Sequence, residues 1–347
     1  MQKALASISL LLCVLVAQAQ WPDSLMKSLR FRFIGPDGNR AIAVAGEPGN
    51  PMVSYVGAAS GGIFKTTDGG ISWRPIFDDM DNSTIGAIAL APGKPDHVWV
   101  GTGETFLIRP AHAMGNGVYK STNAGRSWVN VGLKETGRIS RVVVHPGDTN
   151  TVYVAALGHA HGPQKERGVY KTTDGGKTWQ QVLFVNENTG CADLSVNPKN
   201  PDEIFAAMWQ VEVKTWKLNS GGEGSGIYRS RDGGKTWQKL TNGLPGGPDH
   251  VVGKTSVDVA YANPKIVYAL IEDKVPGLYR SEDGGDSWKL MAQNHSFAQR
   301  APYYTRVRAS TGNPDHVYTI CVTIMTSLNG GKSFTSPHGD YRGGGDN

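Results

Sequence analysis

VYKTTDGGKTW, at residues 169–179, is the stretch whose reading decides the fold. An alternating strand leads into Thr172, Asp174, Gly175 and Gly176, and Thr178 and Trp179 follow. Glycine takes positive φ without a Cβ penalty, so Asp-Gly-Gly reverses the chain. Asp174 is placed to accept hydrogen bonds from nearby amides, with Thr172 and Thr178 closing the turn from either side. Trp179 then covers the turn and packs between sheets. The hairpin recurs as IFKTTDGGISW (63–73), IYRSRDGGKTW (227–237) and LYRSEDGGDSW (278–288), with divergent copies VYKSTNAGRSW (118–128) and IMTSLNGGKSF (324–334). The turn residues are Asp68, Asn123, Asp174, Asp232, Asp283 and Asn329, and the closing aromatics are Trp73, Trp128, Trp179, Trp237, Trp288 and Phe334. Six copies read as structural staples, since a catalytic device is needed once. One acid per turn also supplies too few oxygens for a calcium loop.

The closing aromatics are spaced 55, 51, 58, 51 and 46 residues apart. A second pattern has the same period: VHPGDTNTVYVAAL (144–157), VNPKNPDEIFAAMW (196–209) and YANPKIVYALI (261–271) each read strand, proline turn, strand. APGKPDHVWVGTG (91–103) and STGNPDHVYTICV (310–322) are variants. Four short strands per roughly fifty residues is the signature of a propeller blade. The expected fold is therefore all-β, a β-propeller of four-stranded antiparallel blades with six blades present. A parallel sheet would need helical crossovers for which there is no room. Forty-five glycines and nineteen prolines among 347 residues suit many short strands and tight turns. Length alone would suggest about two domains, but periodicity overrides that prior. The formal charge of +5 is spread along the chain, with no block of like charges, so a nucleic-acid partner is not expected.

The N-terminus, MQKALASISLLLCVLVAQAQ, has one lysine, an apolar run from Ala4 to Val16 and a small-x-small site at Ala17-Gln18-Ala19. It reads as a secretory signal, residues 1–19, removed after Ala19. The run is too short to span a bilayer comfortably and lacks a stop-transfer flank, so no membrane span is expected. Leu11 and Leu12 before Cys13 argue against a lipoprotein. Export would permit a disulfide, but Cys191 and Cys321 sit at non-equivalent repeat positions and read as two separate buried thiols. The propeller is assigned to residues 20–337. The glycine-rich stretch HGDYRGGGDN, 338–347, stands as a tail and a possible truncation point.

The hairpins match the Asp-box, S/T-x-D-x-G-x-S/T-W, found in sialidases, sortilin-type propellers and xyloglucan-cleaving two-propeller glycosidases. FRFIGP (31–36), VGTGE (100–104), ALGHAHGPQKERGVYKTTDGG (156–176), AAMWQ (206–210) and YYTRV (303–307) further resemble a large family of secreted bacterial propellers with sortilin-like or glycosyl-hydrolase-like labels. The resemblance covers nearly all of residues 30–347. It implies the fold and leaves the activity open, because propellers host many functions. Members of that family usually continue with further blades, so a closed six-bladed ring and an incomplete ring are both open.

Loops between the second and third strands lie opposite the DGG turns and are long in three consecutive blades: ETFLIRPAHAMGNG (104–117), HAHGPQKERG (159–168) and QVEVKTWKLNSGGEGSG (210–226). Loops on a rigid scaffold are the usual place for binding residues. Candidate ligand contacts are Arg109, His159, His161, Trp209, Trp216, Tyr303 and Tyr304, with His112 and Glu187 on the same face. Indole rings suit the C–H faces of sugars, although Trp209 and Trp216 could equally cover a blade edge. His159 and His161 alternate on one segment, yet two ligands are too few for a metal, so no metal or cofactor is expected. Lys165, Glu166 and Arg167 read as a solvated turn. Glycoside hydrolysis needs two carboxylates, and Glu104 and Asp193 are the candidates, unless they pair with Arg138 or Arg141. Xyloglucan-cleaving propellers carry a catalytic Asp before the GG of the first blade; here Ala59-Ser60-Gly61-Gly62 occupies that stretch.

Three functions follow as expectations. The first is a secreted or periplasmic module that binds a glycan or peptide on the loop-rich face. The second is a glycoside hydrolase of the sialidase or xyloglucanase type, and the third a structural module of a longer extracellular protein. The sequence leaves catalysis and oligomeric state open. Closure between blades one and six is expected to be weak or absent, with the tail after Pro337 poorly ordered. Division into staple and site has a direct check by thermal melting. Trp179→Ala should cost roughly 3–5 kcal/mol, Trp216→Ala little, and equal losses for both would contradict the division.

Overall fold

The structure is a computed structural model that describes residues 40–106, 113–247 and 250–336. The proposed signal segment, FRFIGP, Arg109, His112 and the tail from Pro337 lie outside the described residues. Each repeat folds as one antiparallel sheet. In blade three the strands Ile139–His145, Asp148–Ala156, Gly168–Thr172 and Gln180–Leu183 are hydrogen-bonded neighbours in that order. The second strand is buried from Thr151 to Ala156 because sheets cover both of its faces. That is why it reads as a continuous apolar run rather than an alternation.

The innermost strands are Ala41–Glu47, Ile85–Ala91, Ile139–His145, Thr189–Val196, Thr255–Val259 and Arg306–Ala309. Each packs beside the next in chain order. Two blades depart from four strands. Blade four extends its second strand to Ile204–Lys214 and adds a hairpin through Lys217–Ser220. Blade six has three strands, and a single bridge between Thr326 and Thr335 stands in place of the fourth. Among the described residues no ladder joins blade one to blade six, and the ring is not closed. Val44 on blade one and Ile324 and Leu328 on blade six are left exposed. Cys191 and Cys321 are free and buried.

Every DGG turn has one bonding pattern. In blade three Thr172 Oγ1 donates to Asp174 Oδ1 at 2.8 Å and accepts from the Gly176 amide at 3.0 Å. Asp174 Oδ1 accepts from the Thr178 amide at 3.0 Å, and Oδ2 from the Thr178 hydroxyl at 2.6 Å. In the divergent copies, the side-chain amides of Asn123 and Asn329 donate to Ser127 and Ser333, each at 2.8 Å. Hydrogen bonds from Ser72 and Thr66 pull the Asp68 carboxyl down to about 2. The turn also docks on its own blade. The Gly175 amide donates to Asn150 O at 3.0 Å, and the equivalent bond forms in all six blades.

Blades are latched to one another by a cation on the third strand. Lys65, Lys120 and Lys171 donate to the carbonyl oxygens of Ala124, Gly175 and Gly233 in the next blade's turn, at 3.1, 3.3 and 2.8 Å. Arg229 does the same to Gly284 O at 2.6 Å. The lysines also lie 4.6–5.3 Å over the rings of Tyr55, Trp99 and Tyr153 on their own second strands, where cation–π attraction is favourable. At the fifth junction Arg280 pairs with Asp315 at 2.8 Å. Thr326 occupies the cation's position in blade six. The tryptophans work in the opposite direction. Trp128 and Trp179 donate to Ile76 O and Val131 O of the preceding blade, each at 2.7 Å, whereas Trp237 and Trp288 donate to their own turns. Trp179 is half-buried, edge-on to Trp99, which sets its truncation near the low end of the expected range.

The two turn glycines have φ of 75° and 94° in blade three, and Ala124 holds the first of these positions in blade two at φ 59°. A left-handed alanine costs about 1–2 kcal/mol, against roughly 0.5–1 kcal/mol of extra chain entropy lost by glycine on folding. Ala124→Gly should therefore raise unfolding stability by up to about 1 kcal/mol. An unchanged or lower denaturation midpoint would show that the turn is not strained.

Candidate functional site

Bulges near the start of the innermost strands decide what enters the channel. In blade three the register jumps from Ile139 opposite Ala156 to Arg141 opposite Ala155, and in blade four from Cys191 opposite Met208 to Asp193 opposite Ala207. A bulge re-aims the residue after it. Arg141 and Asp193 thus occupy equivalent positions on adjacent blades, where Ala43 and Ala87 stand in blades one and two. Blade six contributes Arg306 and Arg308, which share a face through the two-residue repeat of a strand.

Asp193 is buried and saturated with donors. Arg308 reaches it with two hydrogen bonds, at 2.8 and 3.1 Å, and Ser256 Oγ donates at 2.6 Å. Arg141 Nε lies 3.9 Å away. Burial alone would raise its pKa, but Arg308, Arg306 and Arg141 hold the carboxyl well below the usual carboxylate range. Asp258 beside them is pushed up by burial, although Arg308 and the Ala309 amide oppose the shift. Glu104 is also buried and ion-paired, accepting from Arg40 Nη2. Both carboxylates that the sequence offered for hydrolysis are therefore held by guanidinium groups.

Next to this cluster lies a cavity of about 450 Å3. The small Ala43 and Ala87 leave its floor open, Ile42, Phe106 and Tyr304 supply apolar wall, and Arg141, Arg306 and Arg308 supply charge. Phe106 and Tyr304 meet edge-on at 5.1 Å, joining the loop of blade two to the connection entering blade six. Tyr303 packs against Tyr304 at 5.6 Å.

Other sequence candidates fall differently. Trp209 is completely buried, its indole donating to Ser220 Oγ at 3.0 Å, so its ring is not available to a ligand. Trp216 is 80% exposed at the tip of the blade-four hairpin. His161 reaches Val213 O of that hairpin at 3.1 Å. His159 is half-buried, and its carbonyl accepts from Arg138 at 2.8 Å and Arg167 at 3.1 Å. Arg167 is buried and part of this carbonyl clamp, which corrects its reading as a solvated turn; Lys165 remains exposed. Burial pulls Arg138 down to about 9 and Arg167 to about 10, so both stay charged at neutral pH. Glu187 is exposed. Among the described residues no group of three or more metal-ligating side chains converges.

The residues that sequence reading missed are Arg306, Arg308, Asp258 and Lys254. The alternation R-V-R in the sixth innermost strand was the available signal for the first two. Lys254 had none, because its burial depends on Trp209, whose ring lies 5.2 Å from its ammonium, and on Tyr303 O at 3.3 Å. Burial, then Arg306, lowers its pKa to about 7.

Comparison with known proteins agrees with this architecture. Residues 116–247 match the family profile described as Sortilin, neurotensin receptor 3. A xyloglucanase of Paenibacillus sp is 27% identical over 281 residues, covering 72% of this chain and 24% of that protein. Xyloglucanase Xgh74A of Acetivibrio thermocellus is 25% identical over 309 residues, covering 79% and 34%. The chain thus spans about a quarter to a third of these relatives. Among solved structures, the GH74 xyloglucanase of Xanthomonas campestris superposes with a TM-score of 0.56 at 14% identity, over 87% of this chain and 53% of that one. YCF48 bound to D1 peptide gives 0.54 at 14% identity, over 87% and 83%. The chain is thus a β-propeller similar to sortilin-like and glycosyl-hydrolase-like propellers. No helix among the described residues is long and apolar enough to cross a membrane.

Lys254 makes stability depend on pH in a stated direction. Its folded pKa of about 7 lies below the unfolded value of 10.5, so between the two the unfolded chain binds the extra proton and stability rises with pH. The rise should be roughly 1–2 kcal/mol from pH 7 to 8.5, below the range where tyrosines titrate on unfolding; ionisation of the Cys191 thiol in the unfolded chain opposes it only slightly near pH 8.5. Urea titrations at both pH values should show it, and Lys254→Met should abolish it.

Proposed function

We propose that this chain is an exported propeller that binds a glycan on its loop-rich face without cleaving it. The reading rests on one observation: Glu104 and Asp193 are each buried against a guanidinium group. A general acid for glycoside cleavage needs a raised pKa, and the arginines push Asp193 the other way. The first-blade stretch Ala59-Ser60-Gly61-Gly62 offers no carboxylate either. Glycan as the ligand class is supported by the xyloglucanase relatives, and Trp216 and Tyr304 are suitable stacking surfaces. Export rests on the signal-like residues 1–19, and the blades are assigned to 20–337 as one domain.

A second reading has its own observation. Asp258 is raised while Asp193 is lowered within one arginine cluster, and carboxylates pushed apart in this way suit an acid and its partner. Calorimetry with xyloglucan oligosaccharides and a peptide array, run beside a reducing-end assay, separates the readings. The expected result is glycan binding without release of reducing ends. Release that disappears in Asp258→Asn establishes hydrolysis instead, and capture of peptides alone overturns both.

A further inference from the structure

We infer that the cavity between blades one, two, three and six is a subsite for a carboxylate-bearing sugar, a uronic acid within the bound glycan. This rests on the glycan reading above and makes it more specific. Three guanidinium groups line the cavity, and among the described residues only one donates hydrogen bonds to a carboxylate. Arg308 is committed to Asp193. Arg141 comes no nearer than 3.9 Å to the same carboxylate, donates no hydrogen bond among the described residues, and has a buried Nε without a partner. Arg306 is half-buried, and its guanidinium makes no hydrogen bond or ion pair among the described residues, although Asp193 attracts its charge from further off. Facing these three cations are Asp193 and Asp258, and Asp258 is already engaged by the Ala309 amide and by Ser195 Oγ at 3.1 Å.

Charge withdrawn from water is stable when it is paired and hydrogen-bonded. Arg141 and Arg306 are therefore short of an acceptor. Burial lowers Arg306 to about 10, with Asp193 opposing the shift and the Arg308 and Arg141 charges adding to it, so it still carries its charge at neutral pH. A planar carboxylate fits the guanidinium fork with two parallel bonds. The remaining wall selects what the carboxylate is attached to. Ile42, Phe106 and Tyr304 suit the C–H faces of a pyranose ring. A peptide would also need partners for its backbone amides, and the lining is dominated by apolar side chains and arginines.

Calorimetry with trigalacturonate and with its fully methyl-esterified, uncharged counterpart tests the assignment on the whole chain. The acid should bind about 10- to 100-fold more tightly than the ester. Arg306→Gln and Arg141→Gln should each weaken binding of the acid by a similar factor and so narrow its preference over the ester. The melting temperature of Arg306→Gln should stay level or rise, because a like charge is removed from the cluster, which separates lost binding from lost folding. Equal affinity for acid and ester, or affinity indifferent to Arg306→Gln, overturns the proposal. A tetraglutamate peptide that binds as tightly as trigalacturonate overturns the choice of a sugar. If neutral oligosaccharides bind and trigalacturonate does not, the uronate subsite fails and the glycan reading stands; if neither binds, both fail.

Discussion

The hydroxyl-to-carboxylate turn is the interaction on which everything else in this propeller depends. It joins the third strand of each blade to the fourth, or in blade six to the bridge at Thr335, and presents one carbonyl oxygen outward at a constant position. That oxygen is what the preceding blade's lysine or arginine grips. Net contributions of single hydrogen bonds are small, about 0.5–1.5 kcal/mol, and these turns are solvent-facing. Their weight comes from geometry. A turn that shifted would lose its own bonds and the neighbour's latch together. The outer edge of the ring is thereby held by a polar lattice, and the apolar second strands fill the space behind it.

Such a scaffold leaves the channel free to vary. The bulged position after the start of each innermost strand carries alanine in blades one and two, arginine in blade three and aspartate in blade four. None of these changes touches the turns or the latches. Small residues on one side and charges on the other produce a cavity with an apolar floor and a cationic wall. Function is thus written in positions that the repeat does not constrain, while the repeated positions serve the ring.

The fold was legible because the turn residues and the strand spacing are local. Six hairpins and their period suffice to give six sheets, and the weak sixth blade is visible in the change from tryptophan to Phe334. The site was less legible because it is assembled from residues far apart in the chain. Asp193 and Arg308 are 115 positions apart. Whether an aromatic on the loop-rich face is a platform or a cover depends on its surroundings: Trp216 is out in solvent, and Trp209 lies beneath a hairpin whose strands the loop sequence did not announce. Arg167 was misread for the same reason, since the carbonyls it satisfies belong to its own loop folded back over it and to Asn188 in the connection to the next blade.

The latches all point one way: the donor is in one blade and the acceptor in the blade that follows. During synthesis, then, each of the first five blades emerges with its cation unsatisfied and becomes complete only when the next turn has been made. Contacts between neighbouring repeats allow folding to propagate along the chain, and here the polarity of the bond gives propagation the same direction as translation. An interruption leaves one exposed ammonium or guanidinium at the growing edge, a hydrophilic end that discourages premature association with other chains.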